Sequence, residues 1–362
     1  MRISRSNAPR PRRRVTLVVD PRFSGGTSAA VAAEIGTLAP HVDLSVVAVE
    51  TAMFSGRTVH AGLQRAMEEN GIDLVWNPKV VRGDVVVIHN PSCLKFNSDL
   101  ALRISCRVAV VVTHENFVRP NGSEGFDVGL CLDLIDRALV CGVRVLAPVS
   151  DYNRLGVAEW LDREGAAWDL AEFNWFNICD FEMKAPNPAP ADRRGRHSRA
   201  GLEKFPPLGV MKAHFPKTAE SCTILGGDYF LEDPDSVPAH WTVRKFGAMD
   251  VGEFLRELDF FVYFTHSSWR ESFGRVIAEA IAAGKLVITD AGTARVFGDA
   301  VVSSDGSDVD EIVAAYVADP EGYVRFVEEA QRALERFRPE RFVSDVLRGI
   351  ERLEEAGVDA VL

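Results

Sequence analysis

The chain has 362 residues, of which 47% are hydrophobic and 26% charged, a composition typical of a globular protein with enough length for two domains. Its formal net charge of −11 argues against a general nucleic-acid binder. No apolar stretch reaches the roughly 18 residues that span a bilayer, and the six cysteines form no CxxC pair. We therefore expect a cytoplasmic protein with free, buried thiols.

The first 14 residues form a basic segment of their own, with six arginines and no acid. The apolar run that follows, residues 15–19, is too short for the core of a signal peptide. We predict a disordered basic tail over residues 1–14. A weak peripheral contact with an anionic membrane surface is the alternative.

The first half of the chain alternates short Val- and Ile-rich runs with helical patterns. Such runs predict buried parallel strands, because helices then cover both faces of the sheet. We predict strands at residues 15–20, 42–49, 85–89, 108–113 and 143–149, with helices at 28–38 and 63–70.

Residues 184–217 interrupt this alternation with six prolines and with eight basic residues against two acids. A proline-rich segment with a shifted charge is typical of a domain boundary. We therefore predict one domain over residues 15–183 and a second over residues 184–340.

The alternation then resumes. We predict strands at residues 223–225, 241–243, 260–264, 286–289 and 300–302, and helices at 251–258, 275–283, 308–318, 321–337 and 341–356. The whole pattern predicts an α/β protein of two doubly wound, Rossmann-like domains with a cleft between them. In such sheets, ligands bind outside the carboxyl ends of the strands.

The segment WRESFGRVIAEA, residues 269–280, contains the densest group of candidate site residues. Gly274 stands where a helix should begin, and a helix start offers unpaired N–H groups and positive potential to a phosphate. Ser272 is a candidate cap for that helix. Glu271 precedes the helix, while Glu279 lies among apolar neighbours, where a carboxylate is costly without partners. The simpler interpretation is one capping and one solvated glutamate.

The order strand, Glu271, seven residues, Glu279, strand resembles the E-x7-E segment of retaining GT-B glycosyltransferases, in particular glycosyltransferase family 4. The resemblance implies that Glu271 contacts the donor sugar and that Glu279 holds the ribose. It also implies that the backbone around Ser272, Phe273, Gly274, Arg275 and Val276 contacts sugar and phosphate.

The similarity extends over roughly residues 193–300. Phe246 and Gly247 match the region near the nucleotide base. Arg196 and Lys204 fit the two cations that contact the diphosphate, where cations stabilise a departing phosphate; a solvated basic linker is the alternative. The family's fold also has a C-terminal helix, here residues 341–362, that crosses back to the first domain.

The first domain carries weaker signals. Gly25 and Gly26 follow the first strand, at a turn where a donor phosphate or an acceptor approaches the backbone. His114 resembles the histidine near the anomeric centre of the donor sugar. His89 and Asp20 also end predicted strands, although structural roles are equally expected for both. The acceptor is expected to contact residues 115–129.

These features predict a retaining hexosyltransferase of carbohydrate biosynthesis that requires no metal or other cofactor. It would transfer a sugar from a nucleoside-diphosphate donor to a sugar, glycan or small-molecule acceptor, with no nucleic-acid partner. A nucleotide-sugar epimerase or a sugar phosphorylase on the same fold is the first alternative, and a non-catalytic sugar- or nucleotide-binding protein is the second. The DxD pairs at 233–235 and 308–310 follow no buried strand, so we interpret them as structural.

Overall fold

The computed structural model describes residues 12–23, 25–233, 235 and 237–359. Contacts between Cα atoms divide the chain into two compact units. The first unit comprises Met1–Val112, Gly129–Leu146 and Leu347–Leu362, and the second comprises Thr113–Val128 and Ala147–Val346. Most of the predicted basic tail, residues 1–11, lies outside the described residues. The described chain is already structured before residue 15, because the first strand begins at Arg14.

A parallel sheet forms the core of the first unit. Its strands have the order β3-β2-β1-β5-β6-β7, and β4 pairs with β6. The apolar strands β1 and β5 lie at the centre of the sheet. The chain runs through β1 (Arg14–Val19), α1 (Gly26–Leu38), β2 (Asp43–Ala48), α2 (Ala61–Glu69), β3 (Leu74–Trp76), β4 (Val80–Arg82), β5 (Val85–His89), β6 (Arg103–Thr113), α3 (Val128–Ala138) and β7 (Leu139–Pro148).

The second unit contains a parallel sheet in the order β11-β10-β9-β12-β13-β14. Its elements are α4 (Asp151–Glu164), β8 (Asp169–Leu170), β9 (Arg193–His197), α5 (Leu208–His214), β10 (Ser221–Leu225), β11 (Trp241–Arg244), α6 (Val251–Arg256), β12 (Phe260–Tyr263), α7 (Arg275–Ala282), β13 (Leu286–Thr289), α8 (Ala291–Phe297), β14 (Val302–Ser303), α9 (Val309–Ala318), α10 (Pro320–Ala333) and the start of α11 (Pro339–Asp359). Counted from its own first strand, the sheet has the order 3-2-1-4-5-6 of a Rossmann fold.

Strand β9 lies at the centre of this second sheet although its sequence is Arg-Arg-Gly-Arg-His. The buried Arg194 is neutralised by Asp192 and by Asp310, at 2.6 Å each. Arg196 packs against aromatic rings on the same face of the strand. Charged side chains are tolerated here because each has partners. The sequence pattern had instead predicted that this segment belongs to a linker between domains.

The predicted strands agree with the structure at most positions, but several elements were not predicted. The elements that were not predicted from the sequence are helices α3, α4, α5 and α8 and strands β3, β4, β8 and β9. The strand predicted at residues 300–302 exists but is shifted toward the C-terminus, because β14 spans Val302–Ser303. The predicted division between residues 183 and 184 does not coincide with the contact-based units, which group residues 113–128 and 147–183 with the second unit.

Helix α11 contributes to both units, since its residues up to Val346 belong to the second unit and those from Leu347 to the first. Within the first unit, the Arg13 guanidinium lies 2.9 Å from the carboxylate of Glu354 on this helix. Among the described residues, no helix is long and apolar enough to cross a membrane.

Candidate functional site

The candidate site lies where the strand order of the second sheet reverses. Strand β9 has β10 on one side and β12 on the other, so the loops after β9 and β12 leave the sheet in opposite directions. Such a reversal opens a crevice at the carboxyl ends of the strands. The loop after β9 carries Lys204 and the loop after β12 carries Glu271. A bond from His266 N to Glu203 O, 3.1 Å long, joins the two loops.

Lys204 and Glu271 form the central ion pair of this site. The Lys204 ammonium donates to Glu271 Oε2 at 2.8 Å, and the Tyr263 hydroxyl donates to the same oxygen at 2.9 Å. Glu271 Oε1 accepts no hydrogen bond from a described residue, so it remains available to a ligand hydroxyl. The side chains of Lys204 and Glu271 are 10% and 14% exposed.

The carboxylate of Glu271 stays ionised in this setting. Burial alone would raise its pKa, but the charge of Lys204 and the hydrogen bonds from Lys204 and Tyr263 outweigh burial. The pKa of Glu271 is therefore below its ordinary value. Burial, together with the charge of the same carboxylate, raises the pKa of Tyr263 well above its ordinary value, so the phenol remains a donor.

Arg196 occupies a different position from the loop cation that the sequence suggested. It lies inside β9, fully buried, with its two terminal nitrogens donating to the carbonyl oxygens of Phe264 and Lys204. Its guanidinium stacks 4.4 Å from the ring centre of Phe205 and 4.8 Å from that of Tyr263. Arg196 therefore fixes the Lys204 backbone, and Lys204 supplies the cation that reaches Glu271.

Helix α7 begins beside this ion pair. Gly274 is its N-cap at φ +89°, a conformation that favours glycine. The first amide bonded within the helix is Ile277 N, so the N–H groups of Arg275 and Val276 precede the helical hydrogen bonds and suit an anion. Ser272 does not cap the helix as predicted, because its hydroxyl is bonded to Asn116. The Phe273 side chain is buried, which leaves only its backbone to a ligand.

Glu279 lies about one turn into α7, in a weaker polar setting than Glu271. Arg275 Nε donates to its Oε1 at 3.1 Å, and His197 Nε2 lies 3.6 Å from its Oε2, beyond hydrogen-bond distance. Burial raises the pKa of Glu279, and Arg275 offsets only part of that increase. Burial also lowers the pKa of His197 to about 3, so this imidazole is neutral. Glu279 Oε2 thus lacks a charged partner and is suited to accept from a ligand hydroxyl.

Two glycine-containing turns follow β10 and β11. Gly226 has φ +85°, and a Cβ there would overlap the carbonyl oxygen of Ser198. Asp228 joins the two turns, because its Oδ2 accepts from Phe246 N at 2.8 Å. Phe246 is exposed and Gly247 has φ +73°. The turn thus presents an aromatic ring and an open backbone at the surface.

The remaining predicted site residues are divided between the two units. His114 is half-buried and belongs to the second unit. Gly25 and Gly26 belong to the first unit and form the start of α1, and Ser24 before them lies outside the described residues.

Two strand-end residues of the first unit are engaged by neighbours. Asp20 accepts hydrogen bonds from the Arg22 side chain and from both the backbone and the hydroxyl of Thr51, so it organises its own loop. The His89 Nε2 atom lies 3.2 Å from the buried Glu34 carboxylate.

Three residues near the Lys204–Glu271 pair were not identified individually from the sequence. Tyr263 is the one residue of the FFVYF run with a polar tip, which is a usable signal for a site at that strand end. Trp269 packs on Lys204, whose ammonium lies 4.9 Å from a ring centre of the indole. Asn116 bonds to the Glu271 loop across 154 and 156 positions of sequence, and no local pattern predicts such a contact.

Within the described part of the chain, no group of three His, Cys, Asp or Glu side chains is arranged to hold a metal ion. Asp310 of the second DxD pair is bonded to Arg194 at 2.6 Å, and Asp308 accepts from Ser304. Pro234 of the first DxD pair lies outside the described residues.

No family model matches this sequence, and a comparison with curated proteins finds no match. Solved structures do match the fold. Anabaena HepE, in a crystal structure with UDP and glucose, superimposes with a TM-score of 0.64 at 15% identity, covering 94% of this chain and 100% of HepE. An alpha-glucosyltransferase in complex with UDP and a 13-mer DNA superimposes with a TM-score of 0.60 at 12% identity, covering 94% of this chain and 100% of the glucosyltransferase.

TarM of S. aureus is a third similar structure, with a TM-score of 0.54 at 15% identity over 74% of this chain and 55% of TarM. At these identities the likeness establishes the fold, which is that of the GT-B glycosyltransferase structures. The fold class predicted from the sequence, two parallel-sheet α/β domains of GT-B type, is confirmed.

Proposed function

We propose that this protein is a glycosyltransferase that moves a sugar from a UDP-sugar to a sugar, glycan or small-molecule acceptor. The observation that carries the proposal is the Lys204–Glu271 pair at the strand-order reversal of the second sheet, beside the start of α7. The ion pair leaves Glu271 Oε1 for a sugar hydroxyl, while Lys204 and the amides of Arg275 and Val276 face an anion together. UDP is the favoured nucleotide because HepE, TarM and the alpha-glucosyltransferase were all solved with it.

In the proposed reaction, the bond between the anomeric carbon and the β-phosphate oxygen breaks while the acceptor oxygen bonds to the same face of that carbon. The acceptor hydroxyl gives its proton to the departing phosphate, so configuration is retained and UDP is released. Lys204 and the α7 amides stabilise the charge that develops on the diphosphate. Glu271 orients the donor sugar, Glu279 holds the ribose, and His114 lies near the anomeric carbon.

We also propose that the anomeric configuration is retained and that no metal ion is required, because both properties are implied by the E-x7-E resemblance. In such a mechanism, the fixed cation and helix amides supply the charge stabilisation that a metal ion supplies in other transferases. Gly25 and Gly26 are proposed to approach the donor phosphate or the acceptor, and Phe246 and Gly247 the uracil.

The test is a donor screen in which UDP-, GDP-, ADP- and TDP-sugars are each incubated with and without a panel of sugar acceptors. We expect UDP release that depends on acceptor, a product with the anomeric configuration of the donor by NMR, and full activity in EDTA. A new nucleotide sugar formed without acceptor would identify an epimerase instead. Loss of activity in EDTA that Mg²⁺ restores would refute metal independence.

Site variants provide the second arm of the test. Glu271→Ala should reduce kcat/KM by about 100-fold or more, the typical cost of losing one transition-state contact. The matched control is Glu335→Ala, which changes a glutamate distant in sequence from the site segments. If Glu271→Ala turns over like the wild type, the site assignment is wrong.

A further inference from the structure

Both residues that flank Glu271 are held by hydrogen bonds from earlier parts of the second unit. Asn116 Nδ2 donates to the carbonyl oxygen of Arg270 and to the hydroxyl of Ser272, at 2.9 Å each. The Ser150 hydroxyl donates to the carbonyl oxygen of Ser272. The Glu271 backbone is thus fixed on both sides, whereas its carboxylate is held by Lys204 and Tyr263.

Asn116 is itself held by Asn153, whose Nδ2 donates to Asn116 Oδ1 at 3.0 Å. Asn153 Oδ1 in turn accepts from the Thr113 hydroxyl at 2.7 Å, and Asn153 N donates to Ser150 Oγ at 3.0 Å. Thr113 and Asn153 have no exposed surface, and Asn116 and Ser150 are 5% and 4% exposed. A buried and satisfied network of this kind is rigid, because breaking one bond leaves a polar group without water.

The network joins two segments that the sequence marked independently. One contains His114, two residues before Asn116, and the other contains Glu271, between the two residues that Asn116 contacts. A carboxylate that must meet one sugar hydroxyl at hydrogen-bond distance depends on the placement of its backbone. An error near 1 Å costs on the order of 100-fold in rate.

We propose that Asn116, supported by Asn153, is a positioning residue that holds the Glu271 loop in register with the donor sugar. It acts through Glu271 and does not touch the donor. The inference rests on the proposed transferase function, because the placement of Glu271 matters only when a donor sugar binds there.

The test is a kinetic double-mutant cycle on Asn116→Ala and Glu271→Ala. We expect Asn116→Ala to lower kcat by about 10- to 100-fold, with donor KM changed by less than 3-fold. In the Glu271→Ala background the same change should have no further effect, because a residue that acts only through Glu271 loses its role with it. Additive effects would overturn the proposal.

Asn174→Ala is the matched control, since Asn174 also makes three side-chain hydrogen bonds, two from Arg154 and one to Asp151. It belongs to the same unit, but its side-chain hydrogen bonds are with Arg154 and Asp151 and not with the Glu271 loop, so kcat should stay at the wild-type value. Ser272→Ala removes the other end of one Asn116 bond. It should reproduce a smaller loss of kcat even if Asn116→Ala folds poorly.

Hydrogen exchange of the peptide covering residues 266–275 gives a readout independent of turnover. Asn116→Ala should speed exchange there and Asn174→Ala should not. Unchanged exchange with unchanged kcat in Asn116→Ala, measured on a protein whose wild type is active, overturns this inference alone. A wild type that turns over no nucleotide sugar overturns the proposed function, and this inference with it.

Discussion

Glu271 and Glu279 are the same kind of residue, yet the fold shifts their pKa values in opposite directions. Glu271 has Lys204 and Tyr263 as partners, so its charged form is favoured. Glu279 has only Arg275, and burial dominates. The spacing of the two glutamates predicts separate ligand partners, but it does not predict these environments, because Lys204 arrives from a loop 67 positions away.

The first prediction concerns the ion pair. Lys204→Met should leave the Glu271 carboxylate buried without its cation and lower the free energy of unfolding by about 3 kcal/mol. Glu271→Gln in addition should recover part of that loss without restoring turnover, because the buried charge is gone but the site is not rebuilt. Urea unfolding and donor turnover of both variants measure this.

Lys212→Met is the control for the ion-pair prediction, since Lys212 is exposed on α5. It should change neither quantity. A Lys204→Met protein as stable as the wild type would show that the pair contributes little.

The second prediction concerns pH. The folded-state pKa of Glu279 is above its unfolded value, so stability contributed by its neutral form is present at acid pH and is lost as pH rises through the folded pKa. Glu279→Gln stays neutral, so its Tm should exceed that of the wild type at pH 7, and the gap should narrow toward pH 4. Its affinity for UDP should fall by about 10- to 100-fold, the value of hydrogen bonds to a charged acceptor.

Thermal unfolding at pH 7 and pH 4, and calorimetric titration with UDP, measure these effects. A Gln variant that is less stable than the wild type at pH 7 would contradict the assigned environment. Unchanged UDP affinity would remove Glu279 from the ribose site.

At the scale of the element, β9 is the strand that the sequence pattern did not predict. Its composition is that of a linker, and the charge count of residues 184–217 led to that interpretation. The strand exists because Asp192 and Asp310 neutralise Arg194, and because aromatic rings cover Arg196. Asp192 is local, but Asp310 and Tyr263 come from distant parts of the chain, so tertiary contacts override local propensity. The Val- and Ile-rich strands, by contrast, carry their own burial signal and were predicted closely.

The third prediction tests how tightly β9 is packed. A Cβ at Gly195 would lie 2.5 Å from a methyl group of Leu258 and 2.8 Å from the Thr223 carbonyl oxygen. Gly195→Ala should therefore lower the free energy of unfolding by about 1–3 kcal/mol, the range for overpacking.

Gly209→Ala is its control, because a Cβ at Gly209 on helix α5 meets nothing within 4 Å. That change should be neutral or stabilise by about 0.5–1 kcal/mol. Chemical denaturation measures the free energy of unfolding of both variants. Equal stability of the two would show that β9 can accommodate a methyl group at residue 195.

At the scale of the molecule, the alternation of strands and helices sufficed to predict two parallel α/β domains. It did not predict which residues belong to each unit. Residues 113–128 and 147–183 group with the second unit, and one reason is the Asn116–Ser272 contact, which no strand pattern contains. Helices α3, α4, α5 and α8 were not predicted for a different reason, because apolar runs indicate buried strands more readily than partly exposed helices.

The fourth prediction is that UDP stabilises the second unit. At a concentration 100 times its Kd, a ligand adds about 2.7 kcal/mol to stability. Hydrogen exchange should slow at residues 195–204, 225–228 and 271–280 and stay unchanged at residues 43–76 of the first unit. Uridine alone serves as the control without phosphates. Protection confined to residues 43–76 would contradict the donor site.

Helix α11 has a consequence for synthesis of the chain on the ribosome. The first unit contains the earliest strands, but it also contains Leu347 onward, and Arg13 finds its partner Glu354 only there. All of the second unit has been translated by that point. The unit that is begun first therefore receives its last segment only after the whole of the second unit has been made, and the Arg13–Glu354 ion pair forms only then.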